Sequence, residues 1–143
     1  MAKKQNLNVK ALSPETLIEG FVTEAKLSDP AMRTTVAEMN KHVARFYAYA
    51  DEIAARGGLP SLLPLLDSPD NWIAYRTADR LADLPETKDR AMAVLDRIAD
   101  ECSGSASASA ERARNMIRYG DTLGDPVEVE KRLAEIRARD SAR

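Results

Sequence analysis

Apolar residues recur at helical spacing along most of the chain, and proline, glycine and capping residues cut the pattern into segments. Ser13-Pro14-Glu15 supplies a capping hydroxyl, a proline at the first helical position and an acid for the positive end of the helix dipole. Leu17, Ile18, Phe21, Val22 and Ala25 then form the buried stripe of a first helix. Asp29-Pro30 repeats the start signal. From it Met32, Val36, Met39, Val43, Phe46, Ala50 and Ile53 follow at spacings of four and three, which predicts one long helix ending at Arg56-Gly57-Gly58. This seam faces the first helix within one domain or an intermolecular coiled coil, and weak knobs such as Ala50 favour the former.

The middle of the chain predicts a helical hairpin. Leu62, Leu63, Leu65 and Leu66 place apolar groups on most sides of a very short helix, which must be covered on more than one face. Ser68-Pro69 then reads as a cap and first turn, and Ile73, Thr77, Leu81 and Leu84, with Ala78 alongside, form the inner face of the next helix. Pro85-Glu86 opens a fifth helix carrying Ala91, Val94, Leu95, Ile98 and Cys102, flanked by Met92. Ser103 to Ser109 is a low-complexity turn or loop, and Ala110, Ala113, Met116 and Ile117 define a sixth helix that stops at Tyr119-Gly120. Asp125-Pro126-Val127-Glu128 starts a last helix with Val129, Leu133 and Ile136 on one face and Glu128–Arg132 and Glu135–Arg139 as pairs four apart.

The hairpin carries a resemblance. Leu-Leu-Pro-Leu-Leu-Asp-x-Pro-Asp-x-x-Ile-x-x-x-Thr-Ala-x-x-Leu resembles a HEAT repeat at Asp67, Pro69, Ile73, Thr77, Ala78 and Leu81. Where such repeats usually carry an arginine after the β-branched position, this chain has Ala74, with Arg76 nearby. The span from about Leu12 to Gly120 is similar to a small bacterial HEAT-like domain family of unknown function. The resemblance implies an all-α fold and no activity: a HEAT-like α-α superhelix, a right-handed stack of hairpins, preceded by a long helical pair. The expected organisation is a flexible tail over 1–11, a HEAT-like domain over 12–124 and a C-terminal helix over 125–143 that caps the stack or projects from it.

Composition narrows the classes. A chain of 143 residues suits one domain, which buries roughly two-thirds of its unfolded surface. Hydrophobic residues at 44% and charged residues at 31%, with few glycines and prolines, exclude general disorder. The net charge of -2 argues against a dedicated nucleic-acid binder. Cys102 is the lone cysteine and supplies neither an internal disulfide nor a metal framework, so a reducing compartment is expected. No segment has the length of a membrane span and the N-terminus lacks the apolar stretch of a signal peptide, which together predict a cytoplasmic protein.

Candidate chemistry is sparse. His42, the sole histidine, stands one turn after Glu38, but two ligands do not make a metal site, and a solvated helix position is expected. Glu15 with Glu19 and Asp96 with Asp100 read as solvated carboxylates, and Cys102 as buried filler. The chain is therefore expected to be no enzyme and to use no cofactor or metal. A patch for non-covalent recognition of another protein is better supplied: with Ile73, Thr77 and Leu81 inward, Trp72, Tyr75, Arg76 and Asp79 are expected outward, joined by Arg112, Asn115 and Tyr119 of the sixth helix. The alternative for Trp72 is packing against Pro69 or the first helices. A second reading is nucleic-acid binding through Arg76, Arg80, Arg112, Arg114 and Arg118, opposed by Asp79, Asp83 and Asp100. A third, by association alone, is an immunity protein that neutralises a toxin. Membrane binding is not expected; self-association stays open.

Overall fold

The computed structural model describes residues 8–119 and 126–141. Within them lie six α-helices and no strand: α1 (Pro14–Leu27), α2 (Val36–Ala55), α3 (Asn71–Leu81), α4 (Pro85–Glu101), α5 (Gly104–Tyr119) and α6 (Pro126–Ser141). The tail to residue 7, the Gly120 stop, the Asp125 cap and the side chains of Glu128, Val129 and Arg132 lie outside the described residues. No helix among the described residues is long and apolar enough to cross a membrane.

α1 starts as its sequence predicts. Ser13 accepts from the Thr16 N–H at 3.2 Å with Pro14 in the first turn. At its other end Pro30–Met32 is a single 3-10 turn, and Arg33 takes a left-handed conformation at φ 54° that ends it. α2 therefore begins at Val36 and not at Pro30, and Met32 and Val36 are exposed, outside the seam. The Thr35 hydroxyl caps α2 by accepting from Glu38 N–H at 3.1 Å. Thr35-Val36-Ala37-Glu38 has the spacing of a capping box, and an apolar period that runs through Met32 by coincidence hides it. At the far end Gly57 (φ 71°) allows Gly58 N–H to reach Ile53 C=O and Gly57 N–H to reach Ala54 C=O, the two bonds of a Schellman stop.

α1 and α2 run antiparallel. Phe21 and Phe46 meet at 4.8 Å between ring centres, and Gly20 lets Tyr49 lie against α1 where a β-carbon would come within 2.2 Å of the ring. Arg56, at the end of α2, donates to the carbonyls of Val9, Lys10 and Leu12, fastening a 3-10 turn at Val9–Ala11.

The expected short helix of the hairpin is a nine-residue 3-10 helix, Leu59–Asp67. Pro60 lies in its first turn and Pro64 inside it, where a proline ring crowds the carbonyl four residues back and so breaks an α-helical winding. Leu59, Leu62 and Leu66 are buried from it. α3 then starts at Asn71, two residues later than Ser68-Pro69 predicts. Asp70 is the cap, accepting from Trp72 N–H at 2.9 Å and Ile73 N–H at 3.2 Å, while Ser68 accepts from Asp70 N–H.

α4 and α5 form a second antiparallel pair, and the run Ser103–Ser109 is not a loop: from Gly104 on it is the start of α5. Gly104 (φ 81°) makes the reversal after Cys102, and the alternating small side chains let α5 settle on the end of α4, with Ser107 donating to Ala99 C=O at 3.0 Å. α3 lies between the two pairs, packed on α1, α4, α5 and the 3-10 helix, with α2 reaching it through side chains. α6 runs back along α5 and meets it through polar groups, Arg139 lying 3.1 Å from Glu111, while its Val127 and Leu133 are exposed.

Candidate partner-binding face

The central position of α3 decides what its side chains can do. Ile73, Thr77 and Leu81 are buried as expected, but so are Ala74, Ala78 and Ala82, and so are Trp72 and Arg76. Trp72 therefore does not face outward. Its ring packs 5.0 Å from that of Tyr75, and its indole N–H points toward the Ser28 hydroxyl at the end of α1, 3.4 Å away. The expectation that Arg76 is an outer residue is likewise corrected: only 9% of it is exposed.

Arg76 occupies a cradle of rings. Its guanidinium carbon lies 5.1 Å from the centre of the Phe46 ring on α2, 5.1 Å from Trp72 and 5.7 Å from Tyr75. Each distance is within the range where a cation is attracted to an aromatic face. Nε is sealed from solvent without an acceptor, and Arg76 makes no hydrogen bond or ion pair among the described residues. Arg80, one turn on, is treated differently: its Nη2 donates to Asp51 of α2 at 2.8 Å.

Tyr75 and Asp79, beside Arg76 on α3, are half-buried, while Arg112 of α5 and Tyr47 of α2 are exposed, Tyr47 to 40%. Burial pushes the Tyr75 phenol above its ordinary value; Asp79 and Tyr47 add to this, while Arg76 and Arg112 oppose it, so all four groups are within electrostatic reach of Tyr75. Burial also raises the Asp79 carboxyl, against the pull of Arg76 and Arg80 and with help from Asp83. Tyr47 is a member that the hydrophobic pattern passed over. It stands one position off the seam, beside Phe46, and its ring meets Phe46 at 5.5 Å.

The predicted patch is thus divided. Tyr75, Arg76 and Asp79 neighbour one another on α3 with Arg112 within electrostatic reach of Tyr75, whereas Asn115 and Tyr119 line a cleft of about 110 Å³ toward α6, with Arg114, Arg118, Glu135, Ile136 and Arg139. The basic surface considered for nucleic acid is also dispersed. Arg76 is buried, Arg80 is paired with Asp51, wholly buried Arg114 donates to Asp100 at 3.0 Å and Asp96 at 3.4 Å, and Arg118 donates to Asp96 at 2.8 Å. Arg112 alone of the five is exposed and free of such ties among the described residues. Asp96 and Asp100 keep solvent contact, as their spacing predicts, and also anchor arginines.

His42 is not solvated either. It is half-buried, with Nδ1 2.6 Å from Oε1 of buried Glu24 on α1 and Nε2 3.6 Å from Glu38. Among the described residues no three His, Cys, Asp or Glu side chains converge to hold a metal ion. Cys102 ends α4 half-buried against the core. In comparison with known proteins, the chain matches no family model, no curated protein and no solved structure.

Proposed function

We propose that the protein is a non-catalytic protein-binding module, a HEAT-like stack of helical hairpins behind a long helical pair, which holds a partner on the face where α2, α3 and α5 meet. An immunity protein bound to its toxin is one case of this reading. The observation that carries it is the position of Tyr75. Its half-buried ring rests on the Arg76–Trp72 layer, with Tyr47 and Arg112 within electrostatic reach. Tyrosine and arginine dominate interface hot spots, and a ring already held in place loses little freedom when a partner covers it.

The test is affinity capture from native lysate with the unaltered protein and with Tyr47→Ala, Tyr75→Ala and Arg112→Ala. The same captured protein should be lost from these variants while their thermal melts stay close to the parent, and Asn115→Ala, on the α6 side, should retain it. Equal recovery by all four variants removes the reading.

A further inference from the structure

We infer that the partner presents an acidic side chain to Arg76, a carboxylate that completes the ring-lined site from outside. This rests on the protein-binding reading above and adds the chemistry of the partner to it.

The fold places three arginines deep between helices and treats one of them differently. Arg80 is given Asp51, and Arg114 is given Asp96 and Asp100. Arg76 is buried to nine-tenths and receives aromatic faces and the charge of Asp79 without an ion pair, so its cation is held but its in-plane donors carry no hydrogen bond among the described residues. A guanidinium attracted to ring faces keeps its N–H groups as donors, and a carboxylate can take two of them in parallel hydrogen bonds. Nε is closed off, which leaves the two Nη groups as the donors for the incoming acid.

The surroundings choose between anions. Arg112 adds positive potential beside Tyr75, which favours an incoming acid. Asp79 and Asp83 border the same position without an ion pair to Arg76, and the chain is net negative. A polyanion such as nucleic acid would meet those carboxylates repeatedly, whereas a single acidic side chain flanked by apolar neighbours meets Arg76, Arg112 and two tyrosine rings.

The experiment selects random short peptides displayed on phage against the full chain and measures the winners as fluorescent peptides by anisotropy. Winners should be rich in Asp or Glu. Replacing the peptide's key Glu by Gln should weaken binding by about tenfold or more, and on Arg76→Met the same replacement should make no further difference. The peptide substitution leaves the protein untouched, so the result stands even if Arg76→Met folds poorly. Winners that lose affinity on Tyr75→Ala or Arg112→Ala but change by less than about twofold on Glu→Gln overturn the carboxylate and leave the face. Winners indifferent to Tyr75→Ala and Arg112→Ala, or no winners, overturn both.

Discussion

His42 Nδ1 lies 2.6 Å from Glu24 Oε1 across the α1–α2 contact, and Glu24 is only 7% exposed. A carboxylate at that depth loses most of its hydration, and His42 is the partner that replaces it. Truncation to alanine strands the acid. His42→Ala should therefore cost about 1–3 kcal/mol, the penalty for leaving a buried polar group unpaired. Glu24→Gln, which keeps an oxygen for the imidazole and removes the charge, should cost less. Urea unfolding followed by circular dichroism ranks the two. An unchanged midpoint for His42→Ala would mean that water already serves Glu24.

Arg114 poses the opposite case, because packing and charge can be separated there. Its side chain is 2% exposed, but Asp96 and Asp100 are 36% and 35% exposed and keep much of their hydration, so the ion pairs are screened. Two of its nitrogens, Nε and Nη2, are sealed without a hydrogen bond. Packing of the aliphatic stem should dominate. Arg114→Met is expected within about 1 kcal/mol of the parent, and Arg114→Ala, which leaves a cavity, about 2–4 kcal/mol below it. Thermal melts decide; equal losses for both would return the energy to the charges.

The contrast between these residues marks what the hydrophobic pattern can convey. Caps and stops were legible because each is local: Ser13-Pro14 before α1, Arg56-Gly57-Gly58 after α2. The inner residues Phe46, Ala50, Ile53, Ile73, Thr77 and Leu81 were legible because burial repeats with the helical period. That rule assumes one buried stripe per helix. α3 is covered on nearly every side, so a one-stripe reading puts Arg76 and Trp72 outward, whereas rings from α2 and α3 enclose the guanidinium. Contacts between residues thirty apart leave no period to read. Glu24 with His42 and Arg114 with Asp96 escape for the same reason. The Thr35–Glu38 cap, by contrast, was present in the sequence and was masked by a period that happened to continue.

Asp70 gives α3 its acid dependence. Burial pushes its carboxyl up, but the Lys26 ammonium at 2.6 Å and the Ile73 and Trp72 N–H groups outweigh burial and hold it below the ordinary value. A lowered folded value favours the ionised form in the native state. The stabilisation is complete above the unfolded value of about 3.9 and is lost as pH falls through the lower folded value. Asp70→Asn keeps a competent cap and removes the charge, so its stability should fall less steeply than the parent's below about pH 4. Lys26, raised by its bond to Asp70, should lose that share as pH climbs through its folded value, and the same bond is lost in acid once Asp70 is protonated. Parallel curves of urea midpoint against pH for parent and Asn variant would remove Asp70 from this role.

Asp79 should behave with the reverse sign. Burial raises its carboxyl despite Arg76 and Arg80, and it makes no hydrogen bond or ion pair among the described residues. Because the folded value lies above the unfolded one, Asp79 favours the native state fully below about pH 3.9, and that contribution disappears as pH rises through the folded value. At neutral pH the ionised group is thus a cost to folding. Asp79→Asn resembles the protonated acid at every pH and should raise the urea midpoint at pH 7, with the gain vanishing in acid. A carboxylate retained beside Arg76 at the expense of stability has a use for the proposed face: it sets how strongly an incoming acid must bind to share the cation. Asp79→Asn should then bind acidic peptides more tightly than the parent, as measured by anisotropy, and a variant that gained neither stability nor affinity would show that solvent already screens this charge.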